Sequence, residues 1–184
     1  MPVFEKKANA SPVSGTVKVK LPGSGKFVVL RAGQLIPIGS IIDATKGRVH
    51  IVSADGTSGK TREADFFEGL FKLRQGKATG GYTDAQLVGP LDCAKARATA
   101  SGRRRGRHVW GKGTGRHSST GKNSSGSVRG TEWLVWDRCD GSTLTFVKSG
   151  QVLVRDFRSG RKVLVKAGKS YVAGPKRGRS GKSR

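Results

Sequence analysis

One stretch of this chain occurs twice. Residues 15–33 align without a gap on residues 150–168. Val17 and Val19 fall on Val152 and Val154, Ser24 and Gly25 on Ser159 and Gly160, and Ala32 and Gly33 on Ala167 and Gly168. Each copy is two alternating runs joined by a Gly/Ser turn, the pattern of a β-hairpin. A lone hairpin is not stable in water, so each copy must pack against further strands. Two related hairpins near opposite ends predict one β-domain rather than two.

The intervening sequence reads the same way. Residues 47–53 alternate and end at the turn signal Asp55-Gly56. Residues 64–75 place Phe67, Leu70 and Phe71 at helical spacing, but Phe67, Phe71 and Leu73 also fit alternation. Gly69 in the middle favours a strand with a bulge or close backbone approach. Residues 84–88 predict a short strand, and order returns at 128–139. There Trp133 and Trp136 have opposite parity, so at most one faces the core, and Val135 shares the face of Trp133. The predicted fold is all-β, a single sandwich or barrel-like domain of short antiparallel strands. Residues 1–13 read as a lead-in and 14–173 as the domain. Residues 94–127 read as an inserted basic Gly/Ser-rich loop, and 174–184 as a disordered basic tail.

The net charge of +24 belongs largely to that loop and tail. Residues 93–131 and the tail hold fifteen of the thirty-six Lys and Arg and no carboxylate. Such charge attracts polyanions: nucleic acid, acidic protein segments or anionic polymers of a cell surface. The cluster Arg103, Arg104, Arg105 and Arg107, with Lys112 and Arg116, is the candidate anion clamp. Trp110 is either a stacking platform or an anchor tying the loop to the core.

Catalytic signatures are weak. No acid lies near His108 or His117 in sequence to orient a base for a serine nucleophile. Gly111-Lys-Gly-Thr-Gly-Arg116 lacks the Gly-to-Lys spacing of a phosphate loop. No cofactor is expected. His50 reads as a solvent-facing strand residue. Cys93 and Cys139 are the only cysteines, and they stand at the two ends of the basic insertion. Three readings remain open for them: a disulfide, two buried thiols, or a metal site with His108 and His117, whose spacing matches no compact zinc motif. No run approaches the roughly twenty apolar residues of a membrane helix. The start at Met1 shows no apolar signal core, which fits either a cytosolic protein or part of a longer secreted chain.

Several motifs resemble one known family. Val128-Arg-Gly-Thr-Glu-Trp133, Thr145-Phe-Val-Lys-Ser-Gly-Gln-Val-Leu-Val154 and Val163-Leu-Val-Lys-Ala-Gly168 resemble the core of the FecR-like domain. The segments 15–19, 30–43 and 47–51 resemble that family's opening strands. Ala64-Asp-Phe-Phe-Glu-Gly-Leu-Phe-Lys-Leu73, Trp110-Gly-Lys-Gly113, Asp137-Arg-Cys-Asp-Gly141 and Val154-Arg-Asp-Phe157 are similar to a subgroup in extracellular proteins of actinobacteria. The resemblance implies a non-catalytic binding, signalling or scaffold domain of a secreted or cell-surface bacterial protein. Joined to the charge, it gives an expected partner: an anionic polymer or acidic protein, met by the basic loop. The alternative is a cytosolic nucleic-acid-binding protein with a β-domain and basic extensions.

Overall fold

The structure, a computed structural model, describes residues 1–91, 93, 106–128 and 130–175. The first strand, β1 (Lys7–Lys20), shows how the whole domain is built. Ala8 and Ala10 are buried, and so are Val17 and Val19. The inward parity therefore switches from even to odd within one strand. The switch falls at Gly15, which has φ +64 and faces Gly47 across the ladder, with register shifts on either side. A side chain on Gly15 would collide with the backbone carbonyl of Lys46, so both strands need glycine there to bend together.

The short strands β2 (Val28–Val29) and β3 (Gln34–Pro37) lead to the second bent strand, β4 (Ile41–Ala54). The same corner recurs between paired segments. It separates β5 (Thr61–Phe67) from β6 (Leu70–Arg74) at Glu68, whose φ is +56. A 3-10 turn, Lys77–Thr79, precedes β7 (Thr83–Leu87). Gly115 separates β8 (Arg107–Thr114) from β9 (His117–Thr120), and Gly130 precedes β11 (Thr131–Asp137) after β10 (Ser124–Val128). Gly150 separates β12 (Thr143–Ser149) from β13 (Gln151–Asp156), ahead of β14 (Lys162–Lys166) and β15 (Ser170–Ala173).

At each corner the chain passes from one layer to the other. The first layer runs β3, the first half of β1, the second half of β4, then β5, β8, β11, β12 and β15. The second runs β2, the second half of β1, the first half of β4, then β6, β7, β9, β10, β13 and β14. Because the bent strands are shared, the result is one nearly closed, barrel-shaped sheet. Among the described residues every strand pairing is antiparallel except β7 with β9. The all-β expectation therefore holds. Between the layers, Phe66 packs on Phe71 at 5.2 Å and edge-on to Trp133 at 6.1 Å. Trp133 donates from Nε1 to Ser119 Oγ across the core.

Both repeated hairpins form, in the same register. Lys18 pairs with Val29, and the aligned residues Leu153 and Leu164 also pair. Val17 and Val19 are buried like Val152 and Val154, and Leu30 like its counterpart Val165. Residues 64–75 are two strands, and the gap at Gly69 is filled by the backbone of His108 and Val109. Trp133 and Val135 face the core, while Trp136 is half-buried.

Two expected boundaries move. Strand β1 begins at Lys7, inside the segment read as lead-in. The stretch read as a basic loop carries β8, β9 and most of β10, while residues 94–105 and the tail from 176 lie outside the described residues. These strands hide from a hydrophobic pattern because the core asks them for small residues. The indole of Trp133 lies over Gly111, Ala64 presses on Gly113, and Val152 fills the space beside Gly126. Apart from Val109 and Val128, their inward positions are therefore Gly, Ser and His.

Candidate polyanion interface

The outer face of the second layer brings together residues from six strands. Cross-strand register sets two parallel rows. One runs Lys162, Arg155, Ser125, Thr120, Gln86, Lys72. The next runs Leu164, Leu153, Ser127, Ser118, Asp84, Arg74. At ~4.8 Å between strands, each row spans about 24 Å. The middle of both rows is a floor of short hydroxyl side chains; cations stand at both ends of the first row, while the second runs from Leu164 and Leu153 to Arg74. Lys77, Tyr82 and Phe157 wall the floor to make an open trough of about 460 Å3.

The charge on this face is uncompensated. Asp84 is buried, and its carboxylate is used up locally. Arg74 donates to Oδ2 from Nε and Nη2, at 3.1 and 2.8 Å. The hydroxyls of Ser118 and Thr120 each donate to Oδ1 at 2.8 Å. By contrast Arg155, Lys162, Lys72 and Lys77 are exposed and make no ion pair with another described residue. The outer face of the first layer is neutralised instead. His50 and Arg48 meet Asp65 at 2.7 and 3.6 Å, and Lys148 meets Glu132 at 2.8 Å. His50 is thus half-buried and paired rather than simply solvent-facing.

The residues expected to clamp an anion are dispersed. Arg103, Arg104 and Arg105 lie outside the described residues. Arg107 donates to Asp137 and to the Gly89 carbonyl. Trp110 is only 9 % exposed, stacked on Phe67 and edge-on to Phe146, so it anchors β8 and offers no open ring face. Lys112 stands on the first layer, in register with Asp65 and Glu132. Arg116 alone approaches the second layer's outer face, with its guanidinium 5.1 Å from the Tyr82 ring and Nη2 donating to the Gly80 carbonyl.

Cys93 and Cys139 form a disulfide, with Cα atoms 5.7 Å apart. That settles the cysteine question against thiols and metal. His108 sits in β8, and His117 is wholly buried in β9 with neither ring nitrogen hydrogen-bonded. Among the described residues no group of His, Cys, Asp and Glu could hold a metal ion, and no helix is long and apolar enough to cross a membrane.

Sequence reasoning missed the trough. Its one local signal is the run of Ser and Thr through β9 and β10, which looks like loop composition until register sets it beside Arg155 and Asp84. No family model matches the chain, no curated protein matches it, and no solved structure matches it. The FecR-like resemblance rests on the quoted motifs alone.

Proposed function

We propose that this chain is a non-catalytic binding domain that holds an anionic polymer against the outer face of its second layer, outside the cytosol. The observation that carries the reading is the trough itself: a hydroxyl floor rimmed by exposed, unpaired cations, on a fold whose opposite face is charge-balanced. Such a face draws in a polyanion from a distance and then hydrogen-bonds it at short range. The carboxylate lining the trough is fully engaged by Arg74 and two hydroxyls, which leaves it a structural part of the floor rather than an acid or base. The disulfide supports an oxidising compartment. In the FecR-like reading the domain would be a ligand-holding module of a cell-surface protein.

The test compares two variants on a labelled inorganic polyphosphate across a salt series. R155E/K162E should lose affinity and flatten the salt dependence. R103A/R104A/R105A should leave both largely in place. The reverse ranking would move the binding element to the basic loop, and unchanged binding in both variants would remove the reading.

A further inference from the structure

Tyr82 lies at a junction. It lines the trough, a smaller recess with Gln151, Leu153 and Leu164, and an opening flanked by Arg62 and Arg116. The groove therefore continues along the strands past Tyr82 and reaches a second cationic group centred on Arg116, since Arg62 is already paired with Asp55 at 2.9 Å. Thr120 and Arg116 are four residues apart, as are Arg155 and Gln151. At ~3.3 Å per residue the two cationic groups stand about 13 Å apart along the strands. On β9, β10 and β13 the ground between them carries no charge, with Ser118 and Ser127 on the floor and Leu153 beside them; Lys77 and Arg74, the latter paired to Asp84, stand at its β6–β7 edge. Arg116 is held in place by the Gly80 carbonyl and the Tyr82 ring.

We infer that the ligand is an acidic polysaccharide whose anionic groups are separated by neutral, hydroxyl-bearing sugar. The inference rests on the polyanion reading above and names its chemical class. Serine and threonine hydroxyls both donate and accept, as the hydroxyls of a sugar do, so they match partners of either sense. Leu153, 40 % exposed, supplies apolar surface for the C–H face of a sugar ring. A nucleic-acid strand fits less well. Each strand of a duplex carries one charge per ~3.4 Å of axis, so about four phosphates would lie over those 13 Å, most of them above hydroxyls. Single-stranded binding also uses successive exposed rings for stacking. The aromatics lining the trough are Tyr82 and Phe157, and Arg116 already lies over Tyr82.

The experiment measures binding of the full chain to four probes: hyaluronan, with one carboxylate per two sugars; oligo-dT; inorganic polyphosphate; and neutral dextran. The variants are R116E, R155E and S127V, each checked for an unchanged melting curve. Hyaluronan should bind in preference to oligo-dT. R116E and R155E should each weaken it about tenfold, and S127V should weaken it while leaving polyphosphate binding intact. Preference for oligo-dT, or indifference of hyaluronan to R116E, overturns the polysaccharide inference and leaves the polyanion reading standing. Dextran binding as tightly as hyaluronan overturns it by removing the role of charge. Failure of every charged probe overturns both.

Discussion

His117 makes the stability of this protein depend on acid in a way that one substitution can isolate. The ring is fully buried, edge-on to Phe66 at 6.4 Å, and neither nitrogen has a hydrogen-bond partner. Burial lowers its pKa from 6.5 to about 4, and the opposing influence of the Glu63 carbonyl is too weak to offset it. The folded state therefore keeps the ring neutral where the unfolded chain protonates it. Stability is intact above the unfolded value and is lost as pH falls from about 6.5 through about 4. At roughly 1.4 kcal/mol per pH unit, the full loss is about 3 kcal/mol. His117→Leu removes the titration and leaves an apolar group beside Phe66. Urea unfolding of wild type and variant at pH 7.5, 6, 5 and 4 gives the stability difference at each pH, and the other titrating groups cancel in it. The difference should shift by about 3 kcal/mol in favour of the variant between the ends of the series. A difference that stays constant with pH would refute the argument that His117 is buried neutral.

Three further outcomes follow from particular contacts. Replacing Cys93 and Cys139 by serine frees a loop whose ends are 46 residues apart, and the chain-entropy model gives a loss of about 4 kcal/mol, readable by denaturant titration. Gly111→Ala drives a methyl group into the Trp133 indole and should cost about 1–3 kcal/mol, whereas Gly25→Ala, with nothing near it, should be close to neutral in the same thermal melts. Asp84→Ala strips Arg74, Ser118 and Thr120 of their shared acceptor; it should destabilise by about 2 kcal/mol and yet tighten polyphosphate binding by exposing the Arg74 charge.

The parts legible in the sequence were those written in neighbouring residues. Alternation of Val with Lys or Arg made the hairpins of residues 15–33 and 150–168 readable, and the shared spacing carried over into an identical register. Gly69 was readable as a close approach because glycine in a strand interior has few other uses. Trp133 and Val135 were placed on one face by parity alone. The parts that escaped were set by partners far away in the chain. Ser119 is small because Trp133 reaches it from another layer, and Gly111 and Gly113 are bare because Trp133 and Ala64 lie on them. Read locally, that composition is a loop. Trp110 read either as a stacking platform or as an anchor, and Phe67 and Phe146, distant in sequence, close around it and make it the anchor. The trough is the extreme case: Arg74, Ser118, Ser127 and Arg155 become neighbours only when β6, β9, β10 and β13 are in register. Alternation dictates which side of a strand a residue takes. Which strands lie side by side, and so which outward residues share a surface, is decided by how bends at glycine and small inward side chains let the two layers close on one core.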